Sequence, residues 1–208
     1  MSMRQMTRSL PLACGLMLLC AHPLFAQIGG LGVKGGVNLA TIRNSGDGSD
    51  EPAMKSLAGL VAGVFATLPL VSWLELQPEA LYSMKGARLD FEGVNARVLL
   101  DYLEVPVLAR YSRRGTGPSG YYVAGGPAAA FRLRARTRTK FGGATEEIDI
   151  ADDVERLDFG VAIGGGFEHG SLVIDGRYTH GLKDIDKDKT DGITTKNRAF
   201  SVTFGVKF

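Results

Sequence analysis

Charged residues recur at every second position in several stretches of this 208-residue chain. Glu75 and Glu79 share a parity in LELQPEALYSMK, as do Glu104 and Arg110 in DYLEVPVLARY, Arg132 and Arg134 in FRLRAR, and Asp175 and Arg177 in VIDGRY. Asp158 and Glu168 bracket another such run, and Lys34 and Lys207 fall on the matching parity near the two ends. Carboxylates and cations gathered on one surface fit three kinds of chemistry: acid–base catalysis by a carboxylate pair, a path for ions, or mutual neutralisation in a filled interior.

A second basic stripe, Arg132, Arg134, Arg136, Arg138 and Lys140, is answered by Glu146, Glu147, Asp149, Asp152, Asp153 and Glu155 across a turn at Gly142 and Gly143. A hairpin is the simplest account, since opposite charges across two strands contribute about 0.2–1 kcal/mol per well-placed pair. The functional account has the arginines binding lipopolysaccharide phosphates, which guanidinium groups grip with two hydrogen bonds. Residues 30–35, GLGVKG, spell the dinucleotide fingerprint, but no strand precedes them in the mature chain and no helix follows. Asp184, Asp186, Asp188 and Asp191 resemble the start of a calcium loop, yet Lys189 takes the glycine position and Thr195 the glutamate position. His169, Gly170 and Ser171 beside Glu168 resemble the site of lipid A deacylase barrels, but they stand at a short turn on the side away from outer-leaflet lipid. No catalytic residue, cofactor or metal is assigned, and the chain is expected not to be an enzyme.

These side chains must be positioned by strands, because the period of the sequence is two. In residues 74–85, Leu74, Leu76, Pro78, Ala80, Tyr82 and Met84 alternate with Glu75, Gln77, Glu79, Leu81, Ser83 and Lys85. Phe200, Val202, Phe204, Val206 and Phe208 alternate with small and polar residues to the chain end. The same pattern predicts eight strands, near 30–41, 57–68, 73–85, 99–111, 120–134, 156–168, 172–182 and 198–208. In the second strand both parities are nearly apolar, so its facing is open.

The links alternate in length: short at 69–72, 112–119 and 169–171, long and polar at 42–56, 86–98, 135–155 and 183–197. Outer-membrane barrels have short periplasmic turns, longer extracellular loops and ~9–11 tilted residues per crossing. On the apolar parity, Tyr111, Tyr121, Phe167 and Phe208 fall at the short-turn end, and Tyr82, Phe131, Phe159, Tyr178 and Phe200 at the long-loop end. Two rings of aromatics bracketing an apolar band are what a bilayer selects, because amphipathic rings prefer its interfaces. Trp73 has the correct height but the wrong parity. The predicted fold is therefore all-β, an eight-stranded antiparallel up-and-down transmembrane barrel, with a soluble lipocalin-like carrier as the alternative. An eight-stranded bore is only just wide enough for side chains, so the inward charges are expected to pair and fill it.

The N-terminus is expected to be removed. Arg4 and Arg8 precede an apolar run from Leu10 to Cys20 that is too short to span a bilayer as a helix, which predicts a signal peptide over 1–26 and a barrel domain over 27–208. Loss of that leader takes Arg4 and Arg8 and leaves 22 basic against 22 acidic residues, so bulk charge gives no support for nucleic-acid binding. Both cysteines, Cys14 and Cys20, leave with it, and the mature chain has no disulfide to lean on. Glycine, at 28 residues, runs near twice its usual share of ~7% without a collagen period. Gly32, Gly36, Gly126, Gly160, Gly164, Gly166 and Gly205 fall on the charged parity, where a missing side chain makes room in a narrow bore.

With GVKGGVNLATI, LQPEALYSMKG, DYLEVPVLARY and the terminal Phe, the mature chain resembles the PorT-like outer-membrane β-barrel family along essentially its whole length. The resemblance implies an eight-stranded barrel. Through the aromatic last strand, with Phe204 and Phe208 as the assembly signal, it also implies insertion by the barrel-assembly machinery. The named member of that family is associated with protein secretion, but no residue here carries that role over. The expected function is a structural, adhesion or secretion and assembly role through four extracellular loops, with a lipid-modifying enzyme or a narrow channel as alternatives. Expected partners are outer-membrane lipids including lipopolysaccharide, the assembly machinery and an extracellular or secretion-system protein, and no nucleic acid.

Overall fold

The computed structural model describes residues 29–45, 55–91, 94–114, 118–141, 144–186 and 194–208. The expected leader lies outside them. The described residues form nine strands: β1 (Gly30–Ser45), β2 (Lys55–Val71), β3 (Leu74–Phe91), β4 (Val94–Arg114), β5 (Ser119–Phe141), β6 (Ala144–Asp149), β7 (Leu157–His169), β8 (Leu172–Gly181) and β9 (Thr194–Lys207). Eight of them close a ring in the order β4, β3, β2, β1, β9, β8, β7, β5, with β5 returning to β4. Every pairing is antiparallel, and the ring is sealed where the first and last strands meet, as at Val37 and Val202. Closure satisfies the backbone groups of each strand within the sheet, the condition for crossing hydrocarbon with strands.

The ring is turned inside out relative to a soluble barrel. On β3, Glu75, Gln77, Glu79 and Ser83 are buried, while Tyr82 on the alternate parity is exposed. Val37, Leu60, Val64, Ile163 and Phe204 are each more than half exposed, forming an apolar outer band far beyond what a soluble surface tolerates. β2 now has an assigned face: Val61, Phe65 and Thr67 point into the bore. Gly32 and Gly166 show why glycine is needed inside. A Cβ on Gly32 would fall 2.3 Å from the Phe65 ring, and one on Gly166 would fall 2.4 Å from the Tyr122 hydroxyl.

The structure changes the sequence-based elements in three ways. β6 is a ninth strand that pairs only with the upper end of β5, so the expected 135–155 loop is largely a hairpin standing above the ring. The expected 86–98 loop is also paired, from Gly86–Leu99 out to Phe91–Val94, because alternation continues past the apolar band. Trp73 lies in the turn between β2 and β3, where strand parity no longer applies, and its ring packs 5.8 Å from that of Tyr111. It thereby joins the lower aromatic ring, in which Tyr121 and Phe167 lie 5.1 Å apart.

Candidate functional site

The bore is filled by three tiers of polar contacts. At the short-turn end, Arg110 of β4 reaches Glu168 at 2.7 Å and Glu75 at 3.4 Å, donates to Gln77 at 3.1 Å and lies over the Tyr122 ring at 3.7 Å. Ser112 donates to Glu75, and Lys207 pairs with Glu168 at 3.1 Å. The Arg110 guanidinium is thus enclosed by two carboxylates, an amide and an aromatic face. That is the kind of multiple pairing a buried cation requires.

In the middle tier Glu79 is the hub. It accepts two hydrogen bonds from Arg177, at 2.7 and 2.9 Å, one from Lys34 at 2.8 Å and one from Gln77 at 2.6 Å. Arg177 also pairs with Asp175 at 3.1 Å, and the Tyr122 hydroxyl donates to Asp175 at 2.8 Å. In the upper tier Lys85 pairs with Glu104 and lies over the Tyr102 ring, while Asn197 donates to Asp158 at 2.9 Å and to the Tyr102 hydroxyl at 3.2 Å. The space left between Lys85, Glu104, Asp158 and Gly160 is about 10 Å³, room for roughly one water molecule.

Above the upper tier the mouth is closed by apolar side chains. Ile185, from the segment after β8, is buried against Ile42, Ala87, Leu100, Tyr102, Ala130 and Ala135, with Ile150 and Val154 packed beside it. A bridge between Val154 and Asp186, the Glu155 amide on the Ile185 carbonyl and a Lys183–Glu155 ion pair at 3.0 Å hold the two segments together.

Glu75, Glu79, Glu104, Arg110, Asp158, Glu168, Asp175 and Arg177 all sit inside the ring, and the contacts above join them. Arg134 does not. Between Asp101–Arg134 and Tyr102–Arg132 the register shifts by one residue, so Leu133 is extra on β5 and the strand's parity reverses above it. Arg134 is therefore exposed on the outer wall, and Arg132 is only half-buried with its Nε lacking a hydrogen-bond partner. Gln77, Tyr102, Tyr122 and Asn197 are network members that a search for charges alone passes over, and Lys85 is a further inward cation. Their signal was their inward parity, shared with Glu79 and Glu104. Phe204 and Phe208 are exposed on the outer side of the last strand.

The remaining motifs separate. Arg136 and Arg138 clasp Glu147 across the β5–β6 hairpin at 2.7 and 2.8 Å, and the Arg138 bonds first, then those of Arg136, hold the Glu147 carboxyl below the usual carboxylate range. The GLGVKG residues are the first six of β1. Asp184 accepts from the backbone amides of Asp186 and Thr195, whereas Asp188, Lys189 and Asp191 lie outside the described residues. His169 meets Ser119, not Ser171, with Oγ 2.8 Å from Nδ1, while Glu168 turns inward to Arg110.

The sheet closes on itself, apolar outside and charged inside. Residues 25–187 match the outer membrane protein beta-barrel domain family. The chain belongs to this family. This outer-membrane barrel also resembles solved structures. Ail, the attachment invasion locus protein of Yersinia pestis, is 17% identical over 87% of this chain and 99% of that one, with a TM-score of 0.43. Neisserial surface protein A is 12% identical over 86% and 97%, with a TM-score of 0.45. The outer membrane enzyme PagL is 13% identical over 84% and 98%, with a TM-score of 0.43. No curated protein matches the chain. The expectation that the chain is not an enzyme is withdrawn, because an outer-membrane enzyme stands among the structures it resembles.

Proposed function

We propose that this outer-membrane barrel is a closed scaffold, its bore occupied by ion pairs, that presents its long-loop end outside the cell in a structural, adhesion or secretion-related role. The observation that carries the reading is the Arg177–Glu79 pair, which spans the bore between β8 and β3. Those strands stand four places apart in a ring of eight, so the contact crosses its full width. The apolar cap around Ile185 supports the same reading at the mouth. With the interior occupied, specificity falls to the loops and the hairpin above the membrane, the parts of a barrel free to vary. The exposed Phe204 of β9 and Phe208 just after it suit recognition by the barrel-assembly machinery. The loops are the place for an extracellular or secretion-system protein partner.

Orientation and insertion are tested together by single cysteines, since both native cysteines lie in the expected leader. In intact cells a membrane-impermeant maleimide is expected to label Glu146→Cys on the hairpin and to spare Ser171→Cys at the short turn. Labelling of Ser171→Cys alone, or of both equally, contradicts the proposed orientation. Proximity crosslinking from position 146 then identifies the partner class.

A further inference from the structure

The outer wall above the upper aromatic ring carries a second charge cluster that the bore does not use. Above the row Tyr82, Leu103 and Phe131, the extra residue Leu133 turns the even-numbered arginines of β5 outward. The ladder then places Met84, Asp101 and Arg134 in one row, Gly86, Leu99 and Arg136 in the next, and Lys55, Arg88, Arg97 and Arg138 in the third. Residues directly opposite in a ladder share a face, and like charges there repel. Lys55 and Arg88 have further interactions, and Arg136 and Arg138 share Glu147, with Asp101 3.9 Å from Arg136. Among the described residues neither Arg97 nor Arg134 forms an ion pair. On β6 Asp149 stands opposite Arg136 and Glu147 opposite Arg138, so Arg97 and Arg134 are the cations of this face that are open to an external anion.

We propose that this face of β3, β4 and β5 binds the phosphate groups of the outer-leaflet glycolipid, lipid A. Guanidinium forks match phosphate oxygens with paired, charge-assisted hydrogen bonds. Height selects the lipid over a soluble anion. Leu103, Val107 and Phe131 on the same face just below are exposed and apolar, so one wall offers hydrocarbon contact below and cationic contact above. That is the complement of an anionic amphiphile whose headgroup sits above the aromatic ring. Glu147 and Asp101 engage Arg136 and Arg138, which leaves Arg97 and Arg134 for the phosphate groups. The proposal rests on the outer-membrane reading and on the long-loop end facing outside.

The test uses the full chain folded into phosphatidylcholine nanodiscs, titrated with bis-phosphorylated lipid A or with its dephosphorylated form and read by native mass spectrometry. The phosphorylated form is expected to bind at least tenfold more tightly. Arg97→Gln with Arg134→Gln is expected to abolish that preference while the protein keeps the fast gel migration of an unboiled barrel. Equal binding of the two forms by the wild-type chain overturns the proposal without recourse to any variant. So does an undiminished preference in the folded double variant, or displacement of lipid A by an equal concentration of soluble inositol hexakisphosphate. Failure to insert and to show heat-modifiable migration instead overturns the barrel reading beneath it, and is seen before lipid A is added.

Discussion

Arg177 on β8 holds Glu79 on β3 with both terminal nitrogens, at 2.7 and 2.9 Å, from the opposite side of the ring. A fork of this kind fixes distance and orientation together, so it braces the barrel across its width as well as neutralising charge. Lys34, from β1, adds a second cation to the same carboxylate. Breaking a buried pair by removing one partner leaves the other uncompensated, a loss of about 3–5 kcal/mol. Glu79→Leu is therefore expected to lower stability by about that amount in urea unfolding from lipid vesicles. Adding Arg177→Met to it should recover part of the loss. A double variant no better than the single one would show that the two residues are not coupled.

Much of this was legible in the sequence, and the limits are instructive. Strict alternation in LELQPEALYSMK placed Glu75, Gln77 and Glu79 on one face without any knowledge of partners. Which charge meets which depends on strand register and ring order. Arg177 is 98 residues from Glu79, and no local pattern encodes that pairing. The bulge at Leu133 was hidden because Arg132, Arg134, Arg136 and Arg138 keep a perfect period of two through the very point where the strand's facing reverses. Ile185, Ile150 and Val154 were visible as apolar residues in polar surroundings, but only the fold shows that they converge on one mouth.

The β5–β6 hairpin should respond to acid. Glu147 has its folded-state pKa depressed, chiefly by Arg138 and then by Arg136. The stabilisation it provides is fully present above the ordinary carboxylate pKa and is lost as pH falls through the lowered folded value. Hydrogen exchange of the Glu146–Asp149 amides should therefore be slow at neutral pH and accelerate, relative to the intrinsic rate, on acidification below the carboxylate range. Glu147→Gln should show weakened protection at neutral pH and little further change. Identical pH profiles for the two proteins would remove Glu147 from the account.

The cap predicts a local effect. Ile185 is 3% exposed within an apolar cluster, so Ile185→Asp places a carboxylate among apolar side chains. Limited proteolysis should then cut within residues 182–186 many times faster, with the urea midpoint of the ring nearly unchanged. Ile185→Val should behave as wild type. Unaltered cleavage of the aspartate variant would mean the segment is held by its backbone bonds alone.

The terminal aromatic residue offers a test of biogenesis that leaves the bore untouched. Phe208 is 79% exposed and touches no part of the interior network. Deleting it should reduce the heat-modifiable, membrane-assembled fraction in cells severalfold, while the purified variant refolds in detergent as well as wild type. Loss of refolding in vitro would instead assign Phe208 a structural role.

Single-channel recording in planar bilayers tests the occupied bore most directly. The purified, refolded wild-type protein is expected to give no stepwise conductance above the lipid baseline, because Arg177 and Glu79 meet across the bore and Ile185 packs into the apolar cluster at its mouth. Sustained ohmic steps from the folded wild-type protein would contradict it.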